Sequence, residues 1–301
     1  MRSNGTLTAV PGIEVGHWSD RAARTGVTVV SFPEPNTAAV EVRGGAPGSR
    51  ELALLAPGMR IETVQAVVLS GGSAFGLAAA DGVVQRLAAA GRGHPALMGP
   101  VPIVPAAVIY DLAVGDPAIR PGPGQGAAAY DARSAEPVEM GRVGAGTGAS
   151  VAGWRGPEHR RDGGVGSAAE QVEDATVAAL VVVNAVGDAF TLEGEPLTGG
   201  DPVPGPPGQR PGPIENTTLV VVATDAALSR NELSRLLVRS HDALGACLRP
   251  AHTRFDGDVA FALSCGTLTA DVEVLAEAAF AATGRAIAAG LRHAWTGESD
   301  A

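Results

Sequence analysis

Hydrophobic positions along the chain fall into two recurring patterns. Short runs rich in β-branched residues are typical of strands, and longer runs rich in Ala and Leu are typical of helices. Strands are predicted over residues 27–32, 38–42, 64–69, 101–109, 177–183, 219–223 and 259–263, and helices over 73–90, 231–247 and 270–293. No internal repeat is visible in the sequence. The alternation of the two patterns predicts a mixed α/β fold.

One segment interrupts this alternation. In residues 196–213, 12 of the 18 positions are Pro or Gly, which excludes a helix or a central strand and predicts an exposed, semi-extended connection. The segment continues through residues 214–216 into an apolar strand that starts at Thr217. The pattern therefore joins an extended arm to a buried strand at the bond between Asn216 and Thr217.

The composition narrows the class of protein. Hydrophobic residues make up 45% of the 301 positions and charged residues 18%, which is typical of a globular chain. All 22 basic residues are Arg, and the absence of Lys excludes a Schiff-base lysine, a Ser–Lys dyad and a Walker phosphate loop. The net charge of -10 has the wrong sign for a protein that binds nucleic acid.

The cysteines, the histidines and the N-terminal segment bear on location and cofactors. Cys247 and Cys265 lack the spacing of a redox or metal motif and fit two buried thiols in a reducing compartment. The six histidines show no metal-ligand spacing, so neither a metal nor another cofactor is expected. Residues 1–12 lack the core of a signal peptide and no run reaches the length of a membrane span, so we expect a cytoplasmic protein without a membrane partner.

The bond between Asn216 and Thr217 has a chemistry of its own. A Thr hydroxyl can attack the carbonyl before it when the backbone is strained, and hydrolysis of the resulting ester leaves Thr217 as a new N-terminus. Its α-amino group, with an ordinary pKa of roughly 7.7 to 8.0, then serves the same residue as a base. The alternative is an ordinary pair of threonines at a strand edge, within a glycosylation sequon over 216–218.

Two acidic residues precede the strand predicted over 259–263. Asp256 and Asp258 flank Gly257, and side chains two positions apart on a strand point to the same face. The pair is suited to hold a protonated amine, to orient a Thr hydroxyl or to relay a proton. The alternative is a solvated turn of the Asp-Gly type.

Two glycine-rich turns are weaker candidates. The run over 71–75 misses the G-x-S-x-G nucleophile motif at its last position, which leaves Gly72, Ser73 and Phe75 as substrate-binding candidates at the start of a helix. The run over 144–148 is G-x-G-x-G rather than a dinucleotide-binding motif and predicts a loop of close backbone approach.

Several motifs match one known family in the same order along the chain. They are PGIEVGH at 11–17, VLSGGSAFGL at 68–77, VPIVP at 101–105, GAGTGA at 144–149, VVNAVG at 182–187 and ENTT at 215–218. With them the chain resembles, over nearly its whole length, the self-processing L-aminopeptidase/D-esterases, which include β-peptidyl aminopeptidases and nylon-oligomer hydrolases.

The resemblance implies both a fold and a processing event. The fold is a four-layer αββα sandwich of the N-terminal-nucleophile type, as in ornithine acetyltransferase-like proteins. The chain is then a single catalytic domain over 1–301, cut into an α chain of residues 1–216 and a β chain of 85 residues, 217–301. The Pro- and Gly-rich connection over 196–213 precedes the cut.

The same resemblance assigns five catalytic residues. Thr217 corresponds to the nucleophile that self-cleavage releases, and Asn184 to a side-chain amide that donates to the oxyanion. Tyr110 corresponds to a tyrosine beside the nucleophile. Asp256 and Asp258 stand where the nylon-hydrolase branch has two aspartates and where other members often have Ser and Glu.

One position departs from the family pattern. A catalytic lysine that many relatives carry after the glycine loop corresponds here to Gly153. Either Arg155, two residues further on, supplies the cation, or this chain works without it. Because arginine does not give up its proton, only an electrostatic role is open to Arg155.

The implied reaction is hydrolysis of an amide or ester beside a free amine, as at the N-terminal residue of a short peptide, through an acyl-Thr217 intermediate. The small number of aromatic residues favours a small aliphatic substrate. The alternatives are an endo-acting hydrolase of nylon (6-aminohexanoate) oligomers, an acyltransferase with the same nucleophile, and a homologue that binds a ligand without turnover. Because relatives assemble several processed pairs, we expect a homo-oligomer, a tetramer.

Overall fold

A computed structural model of the protein describes residues 4–208 and 215–296. In chain order the strands are β1 (Glu14–Asp20), β2 (Thr25–Ser31), β3 (Thr37–Val42), β4 (Ser49–Arg50), β5 (Ala66–Ser70), β6 (Ala106–Val108), β7 (Ser150–Val151), β8 (Arg161–Asp162), β9 (Gly164–Val172), β10 (Ala175–Val183), β11 (Asp188–Ala189), β12 (Leu219–Ala226), β13 (Leu248–Arg249) and β14 (Val259–Leu268). The α-helices are α1 (Ala79–Ala89), α2 (Pro123–Asp131), α3 (Arg230–Cys247) and α4 (Val272–Thr296). Short 3-10 helices cover Leu7–Ala9, Leu52–Leu55, Ser73–Ala78, Gly144–Gly146 and Pro157–His159.

Two five-stranded sheets lie at the centre of the molecule. The strand order is β1-β2-β5-β6-β4 in the first sheet and β3-β14-β12-β10-β9 in the second. Helices α1 and α2 pack on the outer face of the first sheet, and α3 and α4 on the outer face of the second. A third cluster of buried side chains joins the two inner faces. The order of layers is α, β, β, α, which confirms the predicted four-layer sandwich.

Strand β10 shows how the sequence builds these layers. Val177 and Val181 pack against α3 and α4, whereas Leu180 packs between the two sheets. Successive side chains of a strand point to opposite faces, and here both faces are covered. The strand therefore reads as a continuous apolar run instead of an alternating one.

The strand and helix predictions were correct in type for most segments and incomplete at the edges. The helix predicted over 73–90 begins as a 3-10 helix at Ser73 and becomes α1 only at Ala79. The strand predicted over 101–109 forms a strand only at Ala106–Val108, and Val101 makes an isolated bridge with His94. Strands β1 and β9 and helix α2 were not predicted. The two strands form sheet edges with polar and small residues, and α2 is short and begins Pro-Gly, so their local signals are weak.

The Pro- and Gly-rich connection is anchored more firmly than its composition predicts. Residues 201–207 are exposed, as expected, but Thr198 is buried. Its hydroxyl donates to the Asp188 carboxylate at 2.8 Å and accepts the N–H of Ala189 at 2.9 Å. The prediction of an exposed connection was therefore wrong at Thr198, because the hydroxyl satisfies a buried carboxylate. Residues 209–213 of the predicted connection lie outside the described residues.

Helix α4 has the length and hydropathy that a membrane span requires, so the prediction that no run reaches that length was wrong. It contains 25 residues, and 67% of its apolar window is buried inside the protein. Its apolar side chains belong to the cluster that covers the outer face of the second sheet. The apolar composition of α4 thus serves the protein core.

The inner layer gives the first testable prediction. Leu180 is fully buried between the sheets, so Leu180→Ala leaves a cavity and should lower the free energy of unfolding by about 3 kcal/mol. Urea denaturation measures the loss. Leu97, which is 99% exposed, provides the matched control, and Leu97→Ala should change the same free energy by less than about 0.5 kcal/mol. Equal losses in the two variants would contradict the assigned core.

Candidate active site

The bond between Asn216 and Thr217 lies where the chain enters β12, a central strand of the second sheet. Both residues are buried. The N–H of Thr217 donates to the main-chain carbonyl of Asn184 at 2.7 Å, just past the end of the neighbouring strand β10. The Thr217 hydroxyl donates to the carbonyl oxygen of Asn216 at 2.6 Å. The hydroxyl therefore lies against the carbonyl group that self-cleavage would attack.

The same carbonyl oxygen accepts a second hydrogen bond. It comes from the N–H of Gly257, at 2.9 Å, in the turn between the two aspartates. A Cβ at this position would lie 2.6 Å from Thr217 Oγ1 and 2.6 Å from the carbonyl oxygen of Ala46, so only glycine fits here. The sequence analysis missed this donor. The available signal was a glycine between the two acidic residues, since a close backbone approach is the usual reason for a glycine.

Asn184, whose main-chain carbonyl accepts the Thr217 N–H, is the predicted side-chain donor. It follows the last residue of β10 and is fully buried. Its Oδ1 accepts the N–H of Ser150 at 2.9 Å, which fixes the side-chain amide, whereas its Nδ2 has no partner among residues 4–208 and 215–296. Buried polar groups nearly always have a partner, and leaving one unpaired is costly. Nδ2 of Asn184 is therefore unpaired in the described parts of the uncut chain, and its role as an oxyanion donor stays a prediction.

A cavity of about 230 Å³ opens beside Thr217. Asn216, Ser73 and Tyr110 also line it, so the structure brings the predicted nucleophile together with two residues, Ser73 and Tyr110, from distant parts of the sequence. Tyr110 is half-buried and follows β6, the strand that runs parallel to β5 in the first sheet. The cavity is therefore lined by residues that lie at or next to the ends of strands from both sheets.

The other proposed binding residues lie differently. The N–H of Gly72 donates to Asp111 at 2.7 Å and that of Ser73 to the carbonyl of Ile109 at 3.0 Å, so these two donors are used within the protein. Phe75 is 57% exposed and stacks under the guanidinium of Arg120, 3.8 Å from the ring centre. Of the three, only Ser73 is among the described residues that line the cavity. Roles for Gly72 and Phe75 in binding stay predictions.

Asp256 is held inside the turn that carries Gly257. Its carboxylate accepts the N–H and the hydroxyl of Thr253 at 3.0 and 2.6 Å. Burial, and after it the charge of Asp258, raises the pKa of Asp256 to about 6. Since the folded pKa exceeds the ordinary value of 3.8, ionising Asp256 costs stability, and this cost grows as the pH rises from 3.8 through about 6.

Asp258 contacts the chain on both sides of the site. Its Oδ1 accepts the N–H of Thr218 at 2.7 Å, and its Oδ2 lies 2.8 Å from Nδ1 of His252. In the uncut chain the Thr217 hydroxyl donates to the Asn216 carbonyl. The hydrogen bond of Asp258 is with the backbone of Thr218, the residue after the predicted nucleophile. A direct bond from either aspartate to the threonine hydroxyl stays a prediction for the cut chain.

Arg155 is engaged away from the cavity. Its guanidinium makes a bidentate ion pair with the Asp188 carboxylate at 2.9 and 2.8 Å and donates to the carbonyl of Thr198 at 3.1 Å. It is not among the described residues that line the cavity beside Thr217. In the uncut chain Arg155 anchors the segment before the predicted cut, and a role for it in place of the lysine missing at Gly153 stays a prediction.

Two facing sheets between helix layers thus carry a buried Thr at the entry to a central strand. Residues 5–300 match the family described as Peptidase family S58, and the chain belongs to that family. The resemblance drawn from the sequence motifs is thereby confirmed. The protein is a hydrolase of the peptidase and amidohydrolase class.

Two kinds of relatives are similar to this chain in sequence. An uncharacterised aminopeptidase of Mycobacterium leprae is 43% identical over 304 residues, covering 89% of this chain and 82% of the relative. A 6-aminohexanoate-oligomer endohydrolase of Paenarthrobacter ureafaciens is 30% identical over 272 residues, covering 84% of this chain and 73% of the relative. Aminopeptidases and nylon-oligomer hydrolases are therefore both similar to this chain.

Solved structures share the fold. A β-aminopeptidase of Burkholderia sp. superposes with a TM-score of 0.74 at 23% identity, covering 96% of this chain and 86% of the other. The L-aminopeptidase D-Ala-esterase/amidase of Ochrobactrum anthropi, described as a variant of the Ntn-hydrolase fold, gives 0.74 at 22% identity with the same coverage. At these identities the agreement supports the fold.

The paired carboxylates give a prediction about charge. In Asp258→Asn the charge that helps to raise the pKa of Asp256 is removed, so this pKa should fall from about 6 yet stay above 3.8, because the burial remains. Titration of the carboxyl ¹³C signals measures it. Asp174→Asn, at an exposed hairpin position, is the control and should leave the pKa of Asp256 unchanged. An unchanged pKa in Asp258→Asn would show that the neighbouring charge has no part in the shift.

Proposed function

We propose that the protein is a self-cleaving aminopeptidase and amidohydrolase whose nucleophile is Thr217. One observation carries the proposal: the Thr217 hydroxyl and the N–H of Gly257 converge on the carbonyl oxygen of Asn216 at 2.6 and 2.9 Å. An ordinary strand-edge threonine pair does not require a glycine whose Cβ would collide with the hydroxyl. The aminopeptidase relatives give the proposal its reaction class.

In self-cleavage Thr217 Oγ adds to the carbonyl carbon of Asn216. The negative charge that develops on the carbonyl oxygen is stabilised by the N–H of Gly257. The bond from this carbon to the Thr217 nitrogen then breaks, the nitrogen takes up the proton that the Thr217 hydroxyl lost on attack, and an ester links Asn216 to the Thr217 side chain. Water hydrolyses the ester, which leaves the Asn216 carboxylate and a free amino group on Thr217.

In turnover the freed amino group is the base. The Asn184 carbonyl, which holds the Thr217 nitrogen at 2.7 Å in the uncut chain, orients the amine after cleavage. The amine takes the hydroxyl proton as Thr217 Oγ attacks the substrate carbonyl, and returns it to the leaving amine. The unpaired Nδ2 of Asn184 and the Tyr110 hydroxyl donate to the oxyanion, and Asp258 with Asp256 fixes the nucleophile. Water then hydrolyses the acyl-threonine.

The substrate proposed is an amide or ester beside a free amine, on a small group. A cavity of about 230 Å³ suits a small aliphatic substrate better than a long side chain. The similarity to 6-aminohexanoate-oligomer endohydrolases favours one second candidate, internal cleavage of amide oligomers. We also propose a cytoplasmic location and a homo-oligomer of processed pairs.

Substitution of the nucleophile tests the proposal. Thr217→Ala removes the attacking oxygen and should leave one uncut chain without activity on a p-nitroanilide panel. The wild type should give chains of 216 and 85 residues by intact-mass analysis, and Thr217→Ser, which restores a hydroxyl, should still be cut.

The neighbouring threonine is the matched control. Thr218 Oγ1 is buried and has no hydrogen-bond partner in the described parts of the chain, so Thr218→Ala should be cut and active. A Thr217→Ala chain that is cut at the same bond would refute the assignment of the nucleophile. Release of single N-terminal residues, compared with internal cleavage of an oligomer, distinguishes the two candidate activities.

The oxyanion donor gives a separate prediction. Asn184→Ala removes the unpaired side-chain N–H that is proposed to donate to the oxyanion, so kcat should fall roughly 10²- to 10³-fold with little change in KM. Steady-state kinetics with one p-nitroanilide substrate measures both constants. Asn231→Ala, at an exposed position on α3, should keep the wild-type values. A kcat within about twofold of the wild type in Asn184→Ala would remove this residue from the oxyanion site.

A further inference from the structure

His252 binds Asp258, the aspartate that contacts the chain at the entry to β12. Two donors of this one residue lie near Asp258 Oδ2, the backbone N–H at 3.1 Å and the ring Nδ1 at 2.8 Å. The other carboxylate oxygen of Asp258 accepts the N–H of Thr218 at 2.7 Å. The carboxylate thus links His252 directly to the residue that follows Thr217.

Both ring nitrogens of His252 face acceptors. Nδ1 faces the Asp258 carboxylate, and Nε2 lies 3.3 Å from the main-chain carbonyl oxygen of His241. A carbonyl oxygen and an ionised carboxylate only accept hydrogen bonds, and a neutral imidazole has only one N–H to donate. Only the doubly protonated ring, which carries a positive charge, satisfies both contacts.

The groups around His252 favour the same charge. Burial lowers the pKa of His252. This effect is outweighed by the hydrogen bond and charge of Asp258, with smaller contributions from the His241 carbonyl and the charge of Asp256, so the pKa lies above its ordinary value. The ring of His241, 4.9 Å away on α3, is kept neutral because burial lowers its pKa to about 4. Arg43, at the end of β3, is paired with Glu41 at 2.7 Å.

The backbone of His252 supports a specific role. Its φ is 55°, in the left-handed region that residues other than glycine rarely adopt. The conformation places the N–H and the ring of the same residue on one carboxylate oxygen. Such strain persists only where the surrounding contacts enforce it, and it is common at functional sites.

Charge balance in the site points in the same direction. Asp256 and Asp258 are both buried, and a buried carboxylate requires a positive partner or several donors. Arg155 is committed to Asp188. The ion pair of Asp258 in the described part of the chain is the one with His252.

We propose that His252 is a positively charged positioning residue that holds Asp258, and through it the backbone at Thr218, in the arrangement that Thr217 needs for attack. The inference rests on the proposed nucleophile. When the imidazolium loses its proton, the ion pair with Asp258 and one of the two ring contacts are lost. Activity should therefore decline as the pH rises through the pKa of His252, although the α-amino base becomes more available over the same range.

The charge state is tested directly in the full-length protein. The ¹⁵N signals of the His252 ring, assigned by their loss in His252→Gln, should show two protonated nitrogens at pH 7. A ring with one unprotonated nitrogen at that pH would overturn the proposal. This measurement reads His252 whether or not Thr217 is the nucleophile, and it does not require the variant to be stable. If His252→Gln fails to fold, the wild-type signals are assigned through the contact with Asp258.

The functional part is tested with His252→Gln, which keeps a donor but removes the charge. The rate of self-cleavage and kcat should fall about tenfold with KM nearly unchanged, since a hydrogen bond to a charged group is lost. The decline of kcat/KM at alkaline pH should disappear. His94→Gln, the same change outside the site, should match the wild type in rate and pH profile. A profile in His252→Gln that parallels the wild type, whether lowered uniformly or unchanged, would exclude a positioning role.

If Thr217→Ala retained activity while the His252 ring proved doubly protonated, the proposed nucleophile would be wrong and the His252–Asp258 ion pair would stand.

Discussion

The site depends on the parallel pairing of β12 with β14. The register that places Leu219 opposite Val259 extends three residues before the strands, where Asn216 bridges to Asp256. This pairing puts the N–H of Gly257 on the Asn216 carbonyl and the carboxylate of Asp258 on the N–H of Thr218. A shift by one residue would turn these groups to the opposite face. The buried core on both sides of the sheet therefore fixes the chemistry as well as the fold.

Electrostatics imposes the second constraint. The site buries two carboxylates in a chain that contains no lysine, and water cannot solvate them there. The structure satisfies them locally: Thr253 donates twice to Asp256, and Thr218 and His252 bind Asp258. Arginine, which holds its proton permanently, is used at Asp188 to anchor the preceding chain. The titratable groups Asp256, Asp258 and His252 thus lie near the proposed nucleophile, whereas the permanent charge of Arg155 is paired with Asp188.

The sequence allowed the nucleophile strand and its neighbours to be predicted because their signals are local. A continuous apolar run after a Pro- and Gly-rich segment marks the entry to a strand buried on both faces, and the acidic pair around Gly257 marks a turn. Edge strands β1 and β9 were not predicted, because they are stabilised by pairing with a neighbouring strand and their own residues give only a weak strand pattern. The burial of Thr198 was likewise set by Asp188 from another loop.

The order of hydrophobic and polar residues was sufficient to establish a mixed α/β chain, and the motifs were sufficient to indicate the family and to propose Thr217 as the nucleophile. Three features required the folded chain: the Gly257 donor, the free amide of Asn184 and the partnership of His252 with Asp258. Each joins groups whose proximity depends on sheet register, on turn geometry or on which neighbouring groups are already paired. These contacts join residues that are far apart in the sequence, or they depend on exact atomic positions. Residue type and spacing alone therefore do not predict them.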